Sequence, residues 1–142
     1  IDISEGMKNV AIKKLSVKGF LKNVFLENGD ASSLPYDDNY FDAVFMSFTL
    51  ELFDTAEISL VLNECRRVMN ALSTITIVAM ADSEKSNLIM KIYRWAHSKF
   101  PIWVDCRPID AVSFLNSSGF NVIEIHKERM WGLPVDIIKA GK

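Results

Sequence analysis

The chain has 142 residues, with 16 Lys and Arg against 18 Asp and Glu for a formal net charge of -2. That length fits one domain and leaves little room for a second, and with an apolar share of 49% a single core is expected and disorder is not. The near-neutral balance lacks the basic stripe of a nucleic-acid binder, and no apolar run approaches the ~18 residues of a membrane span. Cys65 and Cys106 form no CxxC pair. A disulfide scaffold and a four-cysteine zinc site are therefore excluded, and a reducing, cytoplasmic compartment fits.

In chain order, Ile-Asp-Ile-Ser (residues 1–4) reads as the end of a buried strand, so residues preceding Ile1 are expected in the intact protein. Met7, Val10, Ala11 and Leu15 fall on one helical face, with Ser4 as N-cap and Gly19 as the stop. Residues 23–27 read as a short strand and residues 28–39 as a loop containing Pro35. Residues 41–50 read as a strand buried on both faces. Residues 54–70 carry a helical stripe of Ile58, Val61, Leu62, Cys65, Val68 and Met69, opened by an Asp54/Glu57 capping box. The β-branched run 74–80 predicts a central strand. Residues 86–100 read as a helix ended by Pro101. A short helix follows Pro108, with Val112 and Leu115 inside and Gly119 after it. Residues 120–127 and 135–140 are the last strands, joined closely enough to be antiparallel.

Strands alternating with helices predict an α/β fold: a doubly wound, mostly parallel sheet in three α/β/α layers, with an antiparallel last strand. In such sheets ligands bind beyond the carboxyl ends of the strands. Asp2, Asp30 and the run Ser47 to Glu51 stand at such ends. An ionised Asp after the second strand suits a ribose diol, because it accepts two hydrogen bonds from adjacent hydroxyls. Asp2 equally suits a charge at a helix N-terminus, and Asp30 equally suits a turn cap.

Three runs in order carry a family resemblance: Ile-Asp-Ile-Ser-Glu-Gly-Met (1–7), Asn-Gly-Asp-Ala-Ser-Ser-Leu-Pro-Tyr (28–36) and Asp-Asp-Asn-Tyr-Phe-Asp-Ala-Val (37–44). Together they resemble class I S-adenosylmethionine-dependent methyltransferases, in the branch that includes the ubiquinone and menaquinone C-methyltransferases. The tail agrees: Leu-Asn-Ser-Ser-Gly-Phe-Asn-Val-Ile (115–123) and Gly-Leu-Pro-Val-Asp-Ile-Ile-Lys-Ala (132–140) resemble that family's late helix and closing strands. The resemblance implies a Rossmann-like fold over residues 1–142, S-adenosylmethionine as cofactor and a small-molecule methyl acceptor. It implies that Asp2 takes the ribose hydroxyls, that Ile3 and Met7 flank ribose and adenine, and that Asp30 accepts the adenine amino group beside the Ala31 N–H. Phe48 would lie near the methionine part.

Two departures stand out. The family's glycine-rich turn, roughly E/D-x-G-x-G-x-G, is absent, and Asn70-Ala71-Leu72-Ser73 replaces a Lys-Pro-Gly-Gly-like turn. Without the first strand, a sheet of this family would carry a gap with unpaired edges, which predicts homo-oligomers or pairing with a strand from elsewhere. The absence of an evident nucleophile or base suits methyl transfer, where alignment does much of the work, and is awkward for a hydrolase. A decayed, non-catalytic partner protein and a nicotinamide dehydrogenase are the competing readings. His97 and His126 read first as structural, with a general base as the alternative; Tyr93, Trp95, Trp103 and Trp131 read first as core, with an acceptor pocket as the alternative; Arg107 reads first as a surface cation, with a grip on an acidic acceptor as the alternative; Cys65 reads as core.

Overall fold

Five apolar residues on one stripe build the helix around which the rest is organised. The computed structural model describes residues 1–81 and 107–142. Within them, α2 (Thr55–Val68) buries Ile58, Val61, Leu62, Cys65 and Val68. Each such side chain contributes about 1.5–3 kcal/mol on burial. Its start is set by Asp54: the Glu57 carboxylate accepts the Asp54 N–H at 3.2 Å, and the Asp54 carbonyl accepts the Glu57 N–H at 2.8 Å. The stripe lies against β2 (Met69–Met80), whose Ile75, Ile77 and Ala79 alternate into the same core.

The sheet has four strands. β1 (Phe41–Ser47) pairs in parallel with β2. β4 (Leu133–Gly141) pairs antiparallel with β2, and β3 (Asn121–Met130) antiparallel with β4, giving the order β1-β2-β4-β3. The directions make β1, β2 and β3 parallel and β4 the reversed strand, as the sequence predicts for an α/β sheet with an antiparallel last strand. The hairpin between β3 and β4 turns on Trp131 and Gly132, with φ of 52° and 82°. Positive φ at both positions is the turn geometry that matches strand twist. Before it, α3 (Ala111–Ser117) is capped by Asp110, whose side chain accepts from the Ser113 N–H, and Gly119 follows at φ 80°. At the other end of the chain, α1 (Glu5–Val17) is capped by Ser4 as expected, and Gly19 follows it at φ 74°.

Three local expectations fail. Residues 23–27 form no strand: Leu21–Asn23 is a 3-10 turn, and the segment reaches Asp2 only through an isolated parallel bridge, Asp2 to Asn28. A strand needs a ladder, and that bridge provides one rung. β1 is not buried on both faces either. Among the described residues it is an edge strand, and Phe45 is 68% exposed, because side chains stand out from the two faces of a sheet and are buried only where another layer covers that face. The apolar face of α1 is likewise uncovered, with Met7 and Val10 exposed and no residue of the helix buried.

One boundary also moves. β2 begins at Met69 rather than residue 74, with a register shift against β1 that leaves the substituted turn bulging out. Asn70 staples that bulge: its Oδ1 accepts the Leu72 N–H, its carbonyl accepts the Ser73 hydroxyl, and its Nδ2 donates to Asp42. The helix predicted over residues 86–100, and with it Tyr93, Trp95 and His97, lies outside the described residues, as do Trp103 and Cys106.

Candidate active site

The Asp2–Asn28 bridge brings the two sequence-predicted carboxylates to neighbouring segments. The Asp2 N–H donates to Glu27 O at 3.1 Å, and the Gly29 N–H donates to Asp2 O at 3.2 Å. Asn28 Nδ2 adds a bond to Asp2 O. Each carboxylate then holds its own turn. Asp2 Oδ1 accepts the Ser4 N–H at 2.7 Å, and Asp30 Oδ1 accepts the Ser32 N–H at 2.8 Å. The Ser32 backbone and side-chain bonds hold the Asp30 carboxyl below its ordinary value, which keeps it an acceptor at neutral pH. Asp30 thus caps its turn, as considered for it, and Asp2 holds the turn that leads into α1; each does so through Oδ1.

Next to this station lies an open cleft of about 680 Å³. One wall is the free edge of β1, including Phe45 and Ser47; the other is Ile1, Phe25 and Glu27, with Ala31 among the lining residues. Of the six sequence-predicted cofactor residues, only Ala31 lines it. Ile3 and Met7 stand outside it, 79% and 57% exposed. Phe48 follows β1 with its N–H on Val78 O at 2.8 Å and φ at 50°, left-handed for a residue with a Cβ. Its chain neighbours Ser47 and Thr49 face the cleft.

A relay of polar contacts fixes the wall opposite β1. Arg67 on α2 binds Glu64 through two nitrogens, and also bonds Asp38, Tyr36 O and Leu34 O, all within 2.9 Å. Glu64 also accepts the Leu34 N–H. The guanidinium is thereby held well above its usual range, first by Glu64 and then by Asp38, and Arg67 in turn lowers the Glu64 carboxyl. The loop so pinned carries Tyr36, whose hydroxyl donates to Glu27; that bond raises the phenol to about 12. Glu27 is the residue whose carbonyl takes the Asp2 N–H. Helix α2 thus positions Asp2 and Asp30 through the loop between them.

Beyond Phe48, the 3-10 turn Leu50–Leu52 buries Glu51, which is 1% exposed. Its Oε1 accepts the Met80 N–H at 3.2 Å, joining the carboxyl ends of β1 and β2, while Oε2 has no hydrogen-bond partner. Burial pushes its carboxyl up. Arg107, a candidate for gripping an acidic acceptor, donates instead to Phe53 O and Thr55 Oγ1. His126 pairs with Glu124 on the exposed β3, and Trp131 stands at the hairpin tip, 88% exposed.

The pattern of an Asp-bearing strand end, an Asp-Ala turn and a β1 edge runs through residues 1–71, and that stretch, half of the chain, matches the family described as Methyltransferase domain. The chain belongs to that family.

Curated relatives of this methyltransferase-family chain extend the match. It is 41% identical over 56 residues to the ubiquinone/menaquinone biosynthesis C-methyltransferase UbiE of Blochmanniella pennsylvanica, covering 39% of this chain and 22% of that protein. It is 30% identical over 84 residues to the demethylmenaquinone methyltransferase of Bacteroides fragilis, covering 59% and 34%. The match therefore spans only 22% and 34% of the length of these relatives. In three dimensions it is similar to a SAM-dependent methyltransferase from Methanosarcina mazei, at a TM-score of 0.76 and 18% identity, over 99% of this chain and 79% of that one. That likeness establishes the Rossmann-like fold.

The donor set fits the family's cofactor. Two ionisable carboxylates on adjoining segments, each with an oxygen outside its turn, are the acceptors that ribose hydroxyls and an adenine amino group require. The sequence did not reveal Arg67 or Glu51. Arg67 occupies a solvent-side position of a regular helix, and its loop partners lie about thirty residues earlier; Glu51 looks like any acidic residue closing a strand. The nearest available signal was Glu64 three residues before Arg67, a spacing that places both on one helix face.

Proposed function

We propose that this chain binds S-adenosylmethionine across the carboxyl ends of its strands and forms part of an enzyme that transfers the methyl group to a small molecule. The observation that carries the reading is the Asp2–Asn28 bridge, which joins the segment of Asp2 to the segment that leads to Asp30, in a chain of the methyltransferase-domain family. Asp2 takes the ribose diol and Asp30 the adenine amino group, with the Ala31 N–H toward the ring. Ile3 and Met7, apolar and exposed, offer surface to the nucleoside. Phe48 stands toward the methionine end. The cofactor supplies an electrophilic methyl on sulfur; the protein's task is to hold an acceptor in line with it and keep water away.

Both curated relatives are named for quinone methylation, so a hydroxylated aromatic ring is the acceptor class to test first. Among the described residues no helix is long and apolar enough to cross a membrane. A cytoplasmic setting is part of the proposal, and the buried free thiol of Cys65 suits it. The cleft beside β1 supports the further reading that this domain is completed by one more strand. Calorimetric titration with S-adenosylmethionine tests the central claim. Micromolar binding to the intact protein is expected, and no binding refutes it.

A further inference from the structure

Among the described residues Glu51 is the one buried acid, and the cofactor reading leaves it unused. It sits at the ligand edge of the sheet, on the turn that follows the left-handed Phe48, and Oε1 is fixed by the Met80 N–H at the end of the neighbouring strand. Oε2 is buried without a hydrogen-bond partner. An unpartnered buried polar atom costs about 1–3 kcal/mol, so a chain that keeps one at its ligand edge has a use for it. Among the described residues, the charged groups on adjoining segments are engaged elsewhere: Glu57 with the Asp54 N–H, and Arg107 with Phe53 O and Thr55. What acts on the Glu51 carboxyl is burial, opposed by backbone N–H bonds from Glu51 itself and from Met80. This is the environment of a proton acceptor tuned upward toward its working pH.

We propose that Glu51 is the group that receives the acceptor's proton, with Oε2 taking a hydrogen bond from an aromatic hydroxyl of the methyl acceptor. The inference rests on the methyltransferase reading above. As the acceptor's oxygen, or the ring carbon beside it, bonds to the methyl carbon, the sulfur–methyl bond breaks and its electron pair stays on sulfur. The hydroxyl proton passes to Oε2. If carbon attacks, the ring proton then moves to the oxygen, so one proton is released in either case. Oε1 keeps its bond to Met80 throughout, which holds Oε2 in place.

The test is Glu51→Gln in the full protein. The amide keeps an oxygen for the Met80 N–H and cannot take a proton. Three quantities are read: S-adenosylmethionine affinity by calorimetry, the pH profile of methyl transfer to 1,4-dihydroxynaphthalene, and the absorbance of that probe bound to protein loaded with S-adenosylhomocysteine. The expected result is cofactor affinity within threefold of wild type and a rate lowered about 100-fold or more. The acidic limb of the profile should vanish, and the shift of the bound probe toward its phenolate spectrum should be lost. A variant with the wild-type profile overturns the proposal, as does one slowed equally at every pH, which would mark a brace only. Failure of the probe to bind the wild-type loaded protein overturns the acceptor class. Absence of cofactor binding in the wild type overturns the methyltransferase reading instead, so the two failures are distinct.

Discussion

Asp2 can be separated from its own structural job. Its Oδ1 already accepts the Ser4 N–H at 2.7 Å, so Asp2→Ala removes a turn contact together with any ribose contact. Asp2→Asn keeps an oxygen for Ser4 and replaces the other acceptor with an NH₂ donor, which a diol hydroxyl meets less well. A hydrogen bond to a charged group is worth about 1.5–3 kcal/mol, and a carboxylate gripping two hydroxyls stands at the upper part of that range. Asp2→Asn should therefore weaken S-adenosylmethionine binding about 10- to 150-fold while leaving the melting temperature nearly unchanged. Calorimetry with S-adenosylhomocysteine and its 2′-deoxy analogue completes a cycle. Removing the 2′-hydroxyl should weaken wild-type binding strongly and barely affect the variant. A loss that is equal for both ligands, or unchanged affinity in Asp2→Asn, would refute the ribose role.

Three further outcomes follow from the packing and the charges. Leu62→Ala, at a fully buried position on α2, should lower stability by about 2–5 kcal/mol in urea titration with little change in slope. Arg67→Met should leave α2 intact and free the loop it pins, read as faster amide exchange at residues 34–38 and weaker cofactor binding, whereas unchanged exchange would show that the relay holds nothing. The Glu51 carboxyl is raised in the folded state, so above the ordinary carboxylate pKa of about 4.3 the unfolded chain ionises more readily and stability falls as pH rises toward the folded value. Glu51→Gln lacks this slope, and its stability difference from wild type should grow in its favour across that window; a flat difference would contradict the burial argument.

The elements legible in the sequence are those whose burial pattern is set locally. The α2 stripe and the alternation of β2 follow from spacing alone, because each buries against the other. Gly19 and Gly119 are legible because a left-handed residue after a helix favours glycine. What failed depends on neighbours. Residues 41–50 look doubly buried because Ala43, Val44, Phe45 and Met46 are all apolar, but composition does not say whether a strand lies on each side. Residues 23–27 have strand chemistry and no ladder. At the site, strand-end placement singled out the carboxylates and offered Asp2 to a ribose diol, and the family resemblance added the adenine role of Asp30; an Asp before a helix and an Asp in a turn each also have an ordinary reading. The polar relay from Arg67 to Glu27 has no periodicity to betray it, and the unpartnered Oε2 of Glu51 is a property of three-dimensional burial.

The β1 edge carries the remaining consequence. Among the described residues β1 pairs on one side only, and its free side faces the 680 Å³ cleft. Three apolar residues around that cleft are uncovered: Phe25 is 92% exposed, Phe45 68% and Ile1 47%. Strands pair at about 4.8 Å, and a row of free N–H and C=O groups beside exposed aromatics is a template for another strand. The isolated 142-residue polypeptide should therefore self-associate as concentration rises, and Phe45→Lys, placing a charge on that edge, should suppress the association without unfolding α2 or β2. The same open edge predicts weak cofactor binding by this polypeptide alone. The neighbours of Asp2 and Phe48 in the chain, Ile1 on one hand and Ser47 and Thr49 on the other, line that cleft, and recognition geometry has to be held to within about 0.5 Å. Sedimentation with calorimetry decides the matter. A 16.1 kDa monomer that binds S-adenosylmethionine at micromolar affinity would show that the edge is closed in solution and that no further strand is needed.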